Sequence, residues 1–411
     1  MTQACFAPNP ESRRFPSAPS RWRPALGAFA AACLAFLVAA PPAGAQAARE
    51  RPAFDVESPI ALLMDADSGK VLFEKNADEP HPPASIAKVM TMLLVAEAVE
   101  GGEISLDDTV VVSARASKIG GSQAYLAEGE EMTVRDLLKA VAIHSANDAC
   151  VALAEHVSGV VEAFVDRMND KARELGMKNT VFHSPHGLPP DRDQEPDMTT
   201  ARDISIMSRE LILKHPMILE YTGKKSDSLR GGRFRLDNTN RLVGRVAGVD
   251  GLKTGYTRAS GFGLVATAER RGLRLLSVTL GAKSGNQRSR DSARLLSYGF
   301  SKLRSYLAAK KDQDVGELKV RRGRAEKVGA RIGKDLRILL QRGDERRLTF
   351  EVKPLADLSA PIEMGEVIGT YEASLDGKLV GKAPIVAKKS VEKANLIILF
   401  FRWFLALIGL R

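Results

Sequence analysis

Ser85 and Lys88 stand three residues apart in Ser85-Ile86-Ala87-Lys88, directly after His81-Pro82-Pro83 and at the head of an almost wholly apolar stretch, residues 86–99. A serine hydroxyl is a weak nucleophile until a base takes its proton. On a helix, side chains at i and i+3 share a face, so the Lys88 amine can be aimed at the Ser85 hydroxyl. The amine works as a base near neutrality only if its pKa is lowered, which burial and a second nearby cation both achieve. Two further short patterns supply the remaining groups. Ser145-Ala146-Asn147 offers a hydroxyl and an amide, and Lys253-Thr254-Gly255 offers the second cation. Unpaired backbone N–H groups at a helix start favour negative charge, so the Ser85 N–H is a candidate oxyanion donor, with the Tyr256 N–H as its partner. Gly255 would let a substrate lie close to the chain. The chemistry these groups suit is nucleophilic catalysis at a carbonyl.

Each pattern alone carries little information. Ser390-Val391-Glu392-Lys393 repeats the first, and Ser284-Gly285-Asn286 repeats the second but lies after Lys253. Placement separates the working copies from the accidental ones. Ser85 falls at a helix start behind two prolines, Ser145 at a helix break, and Lys253 just before a strand pattern. The elements that would position them are legible from periodicity. Residues 60–63 and 71–73 flank the polar turn Asp65-Ala66-Asp67-Ser68-Gly69 as a β-hairpin. A helix apolar on every side follows at 86–99 and belongs in an interior. Thr133 and Asp136 form a capping-box pattern, and helices are expected at 148–157, 161–175 and 200–213. Residues 262–268 and 273–280, around Glu269-Arg270-Arg271-Gly272, make a second hairpin. Strands at both ends enclosing helices predict one antiparallel sheet with a helical cluster packed on it, an α+β domain over 55–305.

Near residue 308 the composition shifts. Residues 310–347 hold 13 Lys or Arg against 7 Asp or Glu, and short strand patterns punctuated by Gly and Pro follow, predicting a small all-β domain over 308–388. Residues 395–410 are apolar except for Arg402, and this run is shorter than the roughly 20 residues that span a bilayer. Lys388, Glu392, Asn395, Arg402 and Gly409 fall along one side of a helix, so 390–411 is read as an amphipathic helix lying in the membrane surface. Phe400, Phe401, Trp403 and Phe404 would enter the apolar layer while Arg402 snorkels. The competing reading is a helix docked on the β domain.

At the other end, Arg13, Arg14, Arg21 and Arg23 precede an apolar run at 25–40 and the small-residue site Ala43-Gly44-Ala45, the pattern of a cleaved export signal over 1–45. Its removal leaves Cys150 as the only cysteine, which excludes an intramolecular disulfide and suits a buried, inert thiol. The six histidines show no metal-ligand spacing, so neither a metal nor another cofactor is expected. With 44% hydrophobic and 27% charged residues the 411-residue chain is an ordinary globular one. Its formal charge is +10, and +7 after loss of the signal's four Arg and one Glu. A basic balance could indicate nucleic acid, but an exported protein meets none, and attraction to anionic lipid or wall polymer accounts for the charge.

The three patterns, in this order, resemble those of the penicillin-binding proteins and serine β-lactamases. More narrowly, the chain resembles the low-molecular-mass D-alanyl-D-alanine carboxypeptidases. The likeness rests on residues 83–91 around Ser85 and Lys88, His186-Gly187-Leu188, Thr200-Ala201-Arg202-Asp203, residues 249–257 around Lys253, and Leu280-Gly281-Ala282-Lys283 with Arg288 beyond. It covers 55–300 closely and the rest in layout. The resemblance implies removal of the terminal D-alanine from peptidoglycan stem pentapeptides through an acyl-enzyme on Ser85, with β-lactam antibiotics as covalent inhibitors. It implies Lys88 as base, Ser145 as proton relay, and Asn147 as holder of the substrate amide. Lys253 would tune the electrostatics, and Thr254 and Arg288 would bind the terminal carboxylate, a task suited to a forked cation. Arg241 would support the site and His186 would be structural. The Gly120-Gly121-Ser122 loop before Tyr125 reads either as a border of the cleft or as a plain turn. The implied location is the outer face of the cytoplasmic membrane. A β-lactamase of the kind with a Glu-x-x-Leu-Asn loop is disfavoured, because no such pattern lies between Asn147 and Lys253. An endopeptidase of the same fold, or a membrane scaffold that has lost catalysis, are the alternatives.

Overall fold

The computed structural model describes residues 54–189, 195–341 and 343–407; the export signal expected over 1–45 and Gly409 lie outside them. Five strands form the main antiparallel sheet: β1 (Ile60–Asp65), β2 (Val71–Lys75), β3 (Val249–Thr257), β4 (Gly261–Arg270) and β5 (Leu273–Ala282), in spatial order β2-β1-β5-β4-β3. The first strand pairs with the last, Ile60 opposite Leu280 and Asp65 opposite Leu275. Both expected hairpins are present. Every residue of β1 is buried, because the sheet is covered on both faces. Ile60, Leu62 and Met64 face the helical cluster, while Leu63 packs against Gly299 on the opposite side, as a period of two requires.

The helical cluster comprises α1 (Lys88–Glu100), α2 (Asn147–Ser158), α3 (Val161–Glu174) and α4 (Ala201–Lys214). Helix α1 is buried on every side from Lys88 to Ala96, as its unbroken apolar sequence predicts. Thr133 and Thr200 cap their helices by accepting the N–H of Asp136 and Asp203. The opposite face of the sheet carries α5 (Gly285–Lys302), which the sequence reading did not anticipate. Its first half is polar, and the out-of-order Ser284-Gly285-Asn286 copy proves to be its start: Ser284 Oγ accepts the Gln287 N–H. Lys253 also differs from expectation. It lies in the middle of β3 rather than ahead of a strand, since Gly251, Gly255 and the lysine itself hide the alternation.

The C-terminal part has its own core. Strands β6 (Leu303–Ala309) and β9 (Leu336–Gln341) pair as a ribbon. Strands β7 (Asp314–Lys319), β8 (Lys327–Ile332), β10 (Leu348–Pro354), β11 (Val367–Leu375) and β12 (Lys378–Ala387) form a second sheet in the order β7-β8-β12-β11-β10. Val328, Ile338, Ile368 and Ile385 centre a cluster separate from that of the first sheet. The basic 310–347 segment contributes three of these strands, β7, β8 and β9. The tail departs from the sequence reading. Lys388 and Glu392 precede the helix, which is α6 (Leu396–Leu407), because Val391 pairs with Ile362 and 392–394 run extended against 322–324. Asn395 caps α6 through the Ile398 N–H. Arg402 does not snorkel: it donates to the carbonyls of Gly323 and Arg324 and pairs with Glu326. Among the described residues no helix is long and apolar enough to cross a membrane.

Candidate active site

Ser85 lies in a single 3-10 turn, Ala84–Ala87, that feeds directly into α1. Ala84, just before it, is held at φ +49, a left-handed conformation that costs a non-glycine residue energy and persists only where the surroundings enforce it. The enforcing contact is close. A Cβ on Gly187 would fall 1.9 Å from the Ala84 carbonyl oxygen, so only glycine lets the 186–188 loop reach the turn. The same loop presents the His186 carbonyl to Lys88. Lys88 Nζ lies 2.8 Å from that oxygen and 2.8 Å from Ser85 Oγ, as the i, i+3 spacing requires. Burial alone pushes the Lys88 pKa down to about 8, against partial opposition from Cys150, Asp197 and Asp148.

Ser145 owes its position to a helix that fails. The helix begun at Val134 widens into a π-turn over Ala140–His144, Ser145 takes a left-handed φ of +67, and the chain restarts as α2 at Asn147. The break aims Ser145 Oγ at Lys253 Nζ, 2.8 Å away. Lys253 Nζ also donates to the Thr254 carbonyl at 3.0 Å, and its pKa is pushed well below the ordinary lysine value by burial and then by the charge of Lys88. Burial lowers Lys88 as the sequence reading expects, but the influence between the two cations runs the other way. Lys88 is lowered by its own burial rather than by Lys253, and Lys253 is the amine that feels its neighbour. Both are essentially inaccessible, at 0% and 1% exposed, so protonation of one disfavours protonation of the other.

Strand β3 brings the third pattern alongside the first. A Cβ on Gly255 would lie 2.7 Å from the Pro83 carbonyl and 3.3 Å from Ala84 Cβ, so this glycine admits the Ser85 turn itself, where the sequence reading had reserved the space for substrate. β3 is an edge strand. Its Thr254 carbonyl faces Lys253 Nζ, and successive residues of a strand alternate edges, so the Tyr256 N–H opens on the same unpaired edge as a ready hydrogen-bond donor. The Tyr256 ring, 56% exposed, stacks on Phe262 at 4.2 Å. Thr254 Oγ1 donates to Thr239 Oγ1 at 2.8 Å.

Arg288 reaches β3 and β4 from α5, donating from Nη1 to the carbonyls of the paired residues Gly255 and Gly263 at 3.0 and 3.2 Å. Its Nε is buried without a partner among the described residues. Burial, followed by the nearby charge of Arg241, lowers its pKa to about 10, which leaves it a cation at neutral pH. Arg241 is brought near by Asn240, whose Nδ2 donates to the Gly251 carbonyl of β3. Asn147 donates from Nδ2 to the Gly120 carbonyl, and its backbone N–H donates to Ser122, so the 120–122 loop does rest against the site. The Asn147 Oδ1 is buried and has no protein partner among the described residues. His186 is held neutral by burial, its pKa pushed down to about 3, and accepts the Leu188 N–H on Nδ1. Cys150 is a buried free thiol pushed up to about 11, which makes it inert.

Three residues outside the short patterns hold this arrangement together. Asp148 accepts the N–H groups of Ala124 and Leu126, and Arg230 donates to the carbonyls of Ala124 and Tyr125 while pairing with Glu130. The loop that Asn147 leans on is thereby clamped from both sides. Arg230 is distant in sequence from every pattern and carried no signal; Asp148 could have been noticed as the acidic residue following Asn147.

A family model described as D-alanyl-D-alanine carboxypeptidase matches residues 45–284, and one described as penicillin-binding protein 5, C-terminal domain, matches 305–393. The D-alanyl-D-alanine carboxypeptidase DacF of Bacillus subtilis is 40% identical over 83% of this chain and 87% of its own. Penicillin-binding protein 5 of Haemophilus influenzae superposes with a TM-score of 0.70 at 31% identity, covering 83% of this chain and 99% of that one. Penicillin-binding protein D2 of Listeria monocytogenes, solved in ampicillin-bound and cefotaxime-bound forms, is 35% identical with a TM-score of 0.56, covering 61% of this chain and 100% of its own. A half-buried serine on a buried lysine, beside a second serine–lysine pair on an open strand edge, on this fold and with these relatives, makes the chain a member of the D-alanyl-D-alanine carboxypeptidase family, a serine-type penicillin-binding-protein enzyme acting on peptidoglycan.

Proposed function

We propose that the chain is an exported, membrane-attached carboxypeptidase that removes the terminal D-alanine of stem pentapeptides through an ester on Ser85. The observation that carries this reading is the pair of 2.8 Å contacts, Ser85 Oγ to Lys88 Nζ and Ser145 Oγ to Lys253 Nζ, made by two buried amines with lowered pKa values. In acylation the neutral Lys88 amine takes the Ser85 proton as Oγ attacks the penultimate D-alanyl carbonyl. The oxyanion is met by the N–H groups of Ser85 and Tyr256. As the C–N bond breaks, Ser145 gives its proton to the leaving amine and takes up the proton held by Lys88, so that D-alanine departs and the Lys88 amine is neutral again. Water, activated by Lys88, then attacks the ester, and the proton returns to Ser85. Asn147 Oδ1 accepts from the substrate amide, Lys253 sets the local field, and Arg288 with Thr254 holds the terminal carboxylate. Gly255 contributes by letting the nucleophile turn reach the strand.

Residues 55–305 form the enzyme in this reading, 308–388 a β-rich domain, and the tail a surface anchor at the outer face of the cytoplasmic membrane after loss of residues 1–45. The ampicillin-bound and cefotaxime-bound forms of the Listeria relative support β-lactams as inhibitors of this chain too. The test is incubation with a stem pentapeptide and with a cross-linked muropeptide. Release of D-alanine from the pentapeptide, lost in Ser85→Ala, is the expected result. Cleavage of the cross-link alone would reassign the enzyme as an endopeptidase, and no turnover of either would leave the scaffold.

A further inference from the structure

The tail helix is not joined to the β-rich domain by a loose thread. Residues 392–394 run antiparallel to 322–324, with the Arg324 N–H donating to the Glu392 carbonyl, the Ala394 N–H donating to the Arg322 carbonyl, and Gly323 bridged to Lys393. Arg402, almost two turns into α6, donates to the carbonyls of Gly323 and Arg324 at 2.7 and 2.8 Å and pairs with Glu326 at 2.9 Å. The 322–326 loop is thus fixed at the base of the helix, whose Leu396 and Ile397 are 84% and 66% exposed.

This base is crowded with cations. Arg321 and Arg324 are exposed and matched by Asp357 and Glu392, and Lys327 and Lys388 are matched by Glu317 and Asp314. Arg322, Lys389 and Lys393 are also exposed, and none has an acidic partner among the described residues. Paired residues of a two-stranded ribbon alternate faces, so Arg322 lies on one face and Lys393 on the other, around the start of the helix. We propose that Arg322, Lys389 and Lys393 form a cationic collar that binds the anionic headgroups of a phospholipid bilayer, with α6 entering that bilayer beside them. The collar rests on the reading of the tail as a surface anchor and adds to it a lipid preference and a fixed stance. Each basic residue near an anionic surface strengthens binding about fivefold, so three contribute roughly a hundredfold.

The test is sedimentation of the purified chain, tail intact, with vesicles of phosphatidylglycerol mixed with phosphatidylethanolamine and with vesicles of phosphatidylcholine alone. The expected result is tighter binding to the anionic vesicles, weakened by salt, and lost roughly a hundredfold in the R322Q/K389Q/K393Q variant while its weaker binding to phosphatidylcholine is kept. Equal binding of variant and parent to anionic vesicles overturns the collar and leaves the anchor standing. Failure of the parent to bind either vesicle overturns the anchor and the collar together. Penicillin acylation of the variant at the parent's rate certifies that it is folded, and Arg322→Lys should restore part of the lost affinity where a purely structural role would not.

Discussion

The two sheets of this protein treat charge in opposite ways. Around the first, two lysines are buried with no carboxylate in hydrogen-bond contact among the described residues, their amines held by hydroxyls and carbonyls. In the C-terminal domain no polar or charged residue is buried among those described, and its ions pair at the surface, as Lys353 does with Glu372 and Arg321 with Asp357. Burying an ammonium without a counter-ion costs free energy unless it sheds its proton. The cost is incurred only where a deprotonatable amine is useful, which makes the contrast a functional statement rather than one about stability.

The largest effect that sharpens this contrast is expected from Lys88→Met. Loss of the base should slow acylation by a penicillin by about 10²–10⁴-fold, while the thermal midpoint holds or rises, because a flexible apolar chain replaces a buried amine. A midpoint that falls steeply would show that Lys88 is there for packing. Next comes pH. Lys88 has its pKa lowered to about 8, and only its neutral form can accept the Ser85 proton. Acylation should therefore climb as pH rises through about 8 and drop about tenfold for each unit below it, whereas a profile flat from pH 6 to 9 removes the amine from the base role. Arg288→Ala should lower turnover of a peptide with a free terminal carboxylate by roughly tenfold to a hundredfold, and should hardly affect the corresponding amide; equal losses on both would mark Arg288 as a prop for β3. The smallest effect belongs to the other sheet. Lys353→Ala removes an exposed pair and should leave acylation and the thermal midpoint unchanged within error, and any loss of activity there would break the separation between the two regions.

Much of the catalytic arrangement was legible because short patterns fix local geometry. Three residues of helix place Lys88 over Ser85 whatever surrounds them, and two prolines ahead of Ser85 mark the turn. Hairpins with clear polar turns, and helices with Thr caps, were readable for the same reason. What escaped depends on contacts made across the chain. α5 has a polar first half, and among the residues it buries, Gln287, Asp291, Ser292, Leu295, Leu296 and Gly299, just two are large and apolar. Gly255 looked like room for substrate, and only the approach of Pro83 and Ala84 shows whose room it is. That Lys253 feels the charge of Lys88 depends on how the folded chain brings two buried amines together, which no spacing encodes. In the tail, the helical spacing of Lys388, Glu392, Asn395, Arg402 and Gly409 suggests one helix, but pairing of 392–394 with 322–324 takes its first part as extended chain, and Arg402 turns inward to that loop.

The central claim is that Ser85, and not the equally hydrogen-bonded Ser145, is the nucleophile. The most direct measurement is mass mapping of the chain after brief labelling with a penicillin. The account predicts a single penicilloyl adduct on the peptide that contains Ser85, absent in Ser85→Ala. An adduct on the peptide containing Ser145, or labelling that survives Ser85→Ala, would contradict it.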